Sequence, residues 1–158
     1  VMSSLLLAIN ELISTRETEG AALQKMIEQR CTDIDAIAKL TRQRMPEILA
    51  HHQQRMEERV AELQVNLDSE RLEQEMVLLA QKSDVAEELD RLESHVVEVQ
   101  SVLQRDEPVG RRLDFLMQEL NREANTLGSK SINSETTNHS VELKVLIEQM
   151  REQIQNIE

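Results

Sequence analysis

An all-α fold, an elongated bundle of four to six helices led by a long first helix, is what this sequence predicts, and three observations carry it. The apolar fraction of 39% is almost wholly aliphatic, with Phe115 the one aromatic residue, so residues that favour strands are scarce. Three Gly and two Pro leave little chemistry for turns. Aliphatic side chains recur at three- and four-residue spacings among Glu, Gln, Arg and Ala, the pattern of amphipathic helices. At 158 residues the length suits one helical domain, residues 1–158.

The first helix is expected from Ser3 or Ser4 to about Met45, with Gly20 a candidate kink, because Pro46 removes a backbone donor and disfavours helical geometry in the residue before it. A second helix from Pro46 to Leu67 would carry Ile48, Leu49, Met56, Val60, Leu63 and Leu67 on its apolar side. Asp68 or Ser69 can cap the next helix, and a break near residue 83 allows Asp84 and Glu87 to form a capping box for another. That helix continues through Val85, Leu89, Leu92, Val96, Val99 and Leu103 to the loop Asp106–Gly110. A fifth helix should run from about Arg111 to Leu127 and end at Gly128 as a left-handed cap. Residues 129–138 read as a polar linker, and Val141 to Ile157 as a closing helix.

The longest apolar run, Leu5 to Ile9, is far below the roughly 20 residues that span a bilayer, and no cleavable secretory pattern occurs. A soluble, cytoplasmic protein is expected, in keeping with a lone Cys31 that has no partner for an intramolecular disulfide. Cys31 is a poor nucleophile candidate, because Asp33 and Asp35 nearby would disfavour its thiolate. The net charge of −12 repels nucleic acid, so binding it would require metal ions or a separate basic module. Against that background residues 111–130 stand out as a stretch with four cations and three carboxylates, net +1.

No zinc-protease helix, phosphate-binding glycine loop, paired-cysteine motif or serine elbow is present, which removes the strongest signatures of common enzyme classes. Two distributed stripes remain. Asp84, Glu88, Arg91 and His95 are spaced by four, three and four residues along one helix face. Arg111, Asp114, Gln118, Asn121 and Asn125 form a second stripe with Arg122 alongside, while Glu119 and Glu123 flank the apolar side of the same helix. If the two helices are neighbours, Glu88, His95, Asp114, Glu119 and Glu123 are candidate ligands for a divalent cation such as Mn or Mg. His95, Glu88 and Asp114 are then the acid–base candidates, and Arg91, Arg111, Arg112, Arg122 and Lys130 the phosphate contacts. The plainer reading is also open: Glu and Arg four apart are routine solvated pairs, and His95 can be an interface histidine. His51, His52 and His139 are not site candidates. Phe115, opposite the apolar stripe, suggests a covered face, by a neighbouring helix or another subunit.

The segments EELDRLESH (Glu87 to His95), GRRLDFLMQELNREANTLGSKS (Gly110 to Ser131) and VELKVLIEQMREQIQNIE (Val141 to Glu158) closely resemble the C-terminal half of YicC/YloC family proteins. The likeness covers essentially the whole chain and corresponds to a family member without its N-terminal domain. It implies a bacterial endoribonuclease, dependent on divalent metal and assembled as a ring-shaped hexamer that clamps RNA. Carboxylate-held metal and basic surface in the other half would offset the repulsion of −12. The expected function is thus hydrolysis of RNA phosphodiester bonds, with water or the RNA's own 2′-hydroxyl as nucleophile. The rival is a non-catalytic helical interaction module whose arginines serve assembly.

Overall fold

Few helix breakers and regular aliphatic spacing give long helices, and a computed structural model describes residues 2–63 and 68–156. Within them the chain forms α1 (Met2–Glu62), α2 (Ser69–Lys82), α3 (Ala86–Leu103), α4 (Gly110–Ser129) and α5 (Ser134–Gln155), with no strand among the described residues. The expected end of the second helix at Leu67, and Ile157 of the last, lie outside the described residues. No described helix is long and apolar enough to cross a membrane.

The all-α expectation stands, with the core made by four helices in a closed cycle: α4 packs on α3 and α5, and α1 on the other sides of α3 and α5. Cross-helix pairs fix the directions. Arg112 meets Glu98, Arg91 meets Glu123 and Lys130 meets Glu88, so α3 and α4 are antiparallel. Arg42 reaches Asp90 and Gln104 reaches Glu28, so α1 and α3 are antiparallel too. Ile27 and Ile34 of α1, Leu89 and Leu92 of α3, Leu116 and Leu120 of α4, and Leu143 and Ile147 of α5 are fully buried between them. Each such side chain contributes about 1.5–3 kcal/mol on leaving water. Cys31 belongs to this core; burial first, and Glu28 second, push its thiol up to about 12. It is no nucleophile, although burial outweighs the neighbouring charges expected to cause this.

Pro46 does not break the first helix: α1 continues through it to Glu62. The ring sits on the exposed side beside exposed Arg42, where water can take the carbonyl that loses its helical donor. Packing holds the segment on both sides of the proline. Thr41 and Ile48 are buried; Arg44 forks onto Glu135 of α5 with Nε at 2.7 Å and Nη2 at 3.1 Å, and Arg42 binds Asp90 of α3 at 2.6 Å. Thr41 Oγ1 donates to the Ile37 carbonyl at 2.8 Å and lies 2.9 Å from Nδ1 of His139. With its one proton spent, the hydroxyl accepts from Nδ1–H, which fixes the tautomer of this buried histidine as an α1–α5 link.

Three other local expectations are corrected. Val85, not Asp84, occupies the cap of α3; Asp84 Oδ1 accepts instead from the Ala86 amide at 3.0 Å, and Glu87 turns to Arg91. Gly128 is not a left-handed cap, since α4 runs to Ser129 and its C-cap Lys130 has φ −87°. A Cβ at Gly128 would lie 2.5 Å from Ser140 Oγ, which donates to the Ala124 carbonyl at 2.8 Å, so the glycine permits close approach of α5. Much of the polar run 129–138 is helix: Asn133 caps α5, its side chain accepting from the Thr136 amide at 2.9 Å.

Candidate functional site

Along the α3–α4 seam the polar residues of the two helices meet in antiparallel order. From one end to the other these are Glu98 with Arg112, His95 with Glu119 and Glu123, Arg91 with Glu123, and Glu88 with Lys130. Their spacing on α3, seven residues from Glu88 to His95, keeps them at the edge of the stripe formed by buried Leu89, Leu92, Val96 and Val99. On α4 the same logic places Glu119 and Glu123 one turn apart beside Leu116 and Leu120.

The centre of the seam is a cluster of three. One ligand atom each from His95, Glu119 and Glu123 lies within 4.8 Å of the others. Glu123 is only 2% exposed; His95 and Glu119 are half-buried. Arg91 Nη1 stands 3.6 Å from Glu123 Oε1, and Arg122 Nη1 3.9 Å from Glu119 Oε2, both long for direct pairs. Among the described residues His95 forms no side-chain hydrogen bond. One imidazole nitrogen with two carboxylates, converging at a half-open seam, is a donor set that suits a divalent first-row cation.

The other candidates lie elsewhere. Glu88, 4% exposed, accepts from Lys130 Nζ at 2.7 Å, and that ammonium also donates to the Asp84 carbonyl at 2.9 Å. This joins the start of α3 to the end of α4 and holds Glu88 apart from the cluster, with Oε2 buried and unpartnered. Asp114 accepts from Gln118 Nε2 at 3.0 Å within α4 and is likewise outside the cluster. Arg111 is exposed and forms no ion pair with a described residue. Arg112 pairs with Glu98 and lays its guanidinium over the Phe115 ring, 5.4 Å from the centroid. Sequence reasoning overlooked both of these contacts, though the three-residue spacing of Arg112 and Phe115 on one helix is a usable signal for the second. His51 and His52 line a groove with Arg44, Arg55 and the first residues of α5, away from the seam.

The cluster of His95, Glu119 and Glu123 thus lies between two helices with arginines beside it. A family model described as "Endoribonuclease YicC-like, C-terminal" matches residues 41–158, and the chain belongs to that family. It is 53% identical over 150 residues to a protein of Haemophilus influenzae named "Probable endoribonuclease YicC", an alignment covering 95% of this chain and 52% of that protein. A protein of Clostridioides difficile with the same name is 37% identical over 158 residues, covering 96% of this chain and 53% of its own length. The chain thus spans about half the length of the curated relatives it matches.

Proposed function

We propose that this chain is the metal-holding part of an endoribonuclease, with RNA as substrate and a divalent cation, Mn or Mg, as cofactor. The observation that carries the reading is the convergence of His95, Glu119 and Glu123 within 4.8 Å, beside Arg91 and Arg122, in a member of an endoribonuclease family. His95 of α3 and the two glutamates of α4 would hold the ion. When bound, such an ion supplies Lewis acidity at a phosphoryl oxygen. Arg122, loosely paired at 3.9 Å, can turn toward the negative charge that develops on phosphorus oxygens, while Arg91, held by Glu87 through one nitrogen, presents the other beside the cluster. Arg111, exposed near the start of α4, can bind a neighbouring phosphate, while Arg112 is taken up by Glu98 and the Phe115 ring. Glu88 and Lys130 act as a clamp that fixes the α3–α4 register, and so position the cluster. Assembly as a homo-oligomer, in which several copies face one RNA, belongs to the same reading.

RNA cleavage by the full-length protein tests this. Glu119→Gln and Glu123→Gln should each lower cleavage at least about 100-fold with helicity unchanged, and chelator should abolish it. Mn should raise the melting temperature of the unsubstituted protein and not of either variant. Cleavage undiminished in excess chelator, or in both variants, would remove the site.

The arginines at Glu119 and Glu123 also favour a second reading, a non-catalytic helical module in which the cluster only joins α3 to α4. In that case Mn leaves the melting temperature unmoved.

A further inference from the structure

The single aromatic residue of the chain lies on the outside. Phe115 is 47% exposed on α4, while the aliphatic residues Leu113, Leu116 and Met117 around it are fully buried. A solitary exposed phenylalanine is not in itself unusual. Its setting is: Arg112, one turn earlier, covers the ring at 5.4 Å from the centroid and is itself tethered by Glu98 of α3. The ring thus has the Arg112 guanidinium over it and is otherwise about half open to solvent. Arg112, Phe115, Glu119 and Arg122 follow one another at spacings of three, four and three, so they share one stripe of the helix. Phe115 stands about 6 Å along the axis from Glu119 of the cluster.

We infer that Phe115 is a stacking platform for an unpaired RNA base, one nucleotide or two away from the phosphate held at the cluster. This rests on the RNA-cleaving reading above and adds the class of substrate: RNA with unpaired nucleotides at the cut. An aromatic face accepts any of the four bases, because each has a π surface, and so confers a preference for single strands without a sequence preference. Arg112 behind the ring strengthens the stack through its charge on the π cloud, and Arg111 adds positive charge beside the same stretch of backbone. With four cations against three carboxylates, residues 111–130 add nothing to the chain's net negative charge of −12, which lowers the repulsion a polyanion meets beside the ring.

The test is made on the full-length protein with a fluorescent single-stranded oligoribonucleotide and with a blunt RNA duplex of the same sequence. Phe115→Leu keeps the apolar bulk and removes the π face; Phe115→Trp keeps it. The expected result is about tenfold weaker binding of the single strand by Phe115→Leu, with a matching rise in KM and kcat retained. Phe115→Trp restores binding, duplex binding is unchanged in both, and 2-aminopurine in the single strand is quenched by the unsubstituted protein and not by Phe115→Leu. Equal affinity of Phe115→Leu and unsubstituted protein for the single strand overturns the inference and leaves the nuclease reading intact. A change of oligomeric state in Phe115→Leu with loss of both RNA forms also overturns it, and makes the ring part of an interface between copies. Failure of the unsubstituted protein to bind or cut any RNA removes both readings together.

Discussion

At the scale of single residues, Gly128 and Ser140 show how one missing Cβ sets a helix pair. The Ser140 hydroxyl fits against α4 because nothing projects from residue 128, and it donates to the Ala124 carbonyl at 2.8 Å. Gly128→Ala gains up to about 1 kcal/mol of helix propensity but forces an overlap that costs about 1–3 kcal/mol. The net expectation is a loss of about 1 kcal/mol in chemical denaturation. Adding Ser140→Ala should recover part of it, because the clashing oxygen is gone. Gly128→Ala alone at or above the stability of the unsubstituted chain would mean that the helices do not approach so closely. The sequence made Gly128 legible as special, but for the wrong cause, since a cap and a close contact both call for glycine. For the seam, spacings of three and four residues through Arg91 marked Glu88 and His95 as sharing a face, and Glu119 and Glu123 as flanking the apolar stripe. It had no means of saying that Lys130, 42 positions from Glu88, would take that carboxylate for itself. Partners across helices are set by register, which spacing within one helix does not encode.

At the scale of elements, α1 carries a proline in its interior and stays helical because the turn before it is tied to α3 and α5 and Ile48 after it is buried. Local propensity argued for a break, and tertiary contact overrode it; Arg44–Glu135 and Arg42–Asp90 are visible only once α3 and α5 are in place. Pro46→Ala restores a backbone donor and should stabilise the fold by about 1–3 kcal/mol, reduced slightly by the freer unfolded chain. Urea titration decides: an unchanged or lower midpoint would show that the proline is needed at this position. The Arg44–Glu135 pair also has a pH signature. The Arg44 guanidinium, by its hydrogen bond first and its charge further, holds the Glu135 carboxyl below its ordinary value of 4.5, against a smaller opposing effect of burial; His139 adds to the depression. A carboxyl depressed in the folded state stabilises it fully above the unfolded value, and the contribution is lost as pH falls through the lower folded value. Stability should therefore decline below about pH 4.5, and Glu135→Gln should flatten that part of the profile. A profile identical in Glu135→Gln would exclude this pair as a source.

For the molecule as a whole, the four-helix cycle confines the core to the middle of α1, while residues 2–22 of that helix are all exposed. Hydrogen exchange on the 158-residue chain should find those amides exchanging orders of magnitude faster than the amides of α4, which is packed on two sides. Equal protection in both would mean that the exposed stretch is covered by something other than this core. Composition and periodicity were enough for the fold class, because a chain with one aromatic residue and three glycines has few alternatives to helix. The cyclic order of helices was not legible, since amphipathic stripes state that a face is buried and not against which partner. One continuous rod of 61 residues, about 90 Å long, also has a mechanical meaning. Its fulcrum lies where α3 and α5 grip it between Leu23 and Ile48. A rotation of about 10° there swings the tip of its first half through about 5 Å over a length of about 30 Å, so small rearrangements at the seam of α3 would be read out as large displacements at the far end.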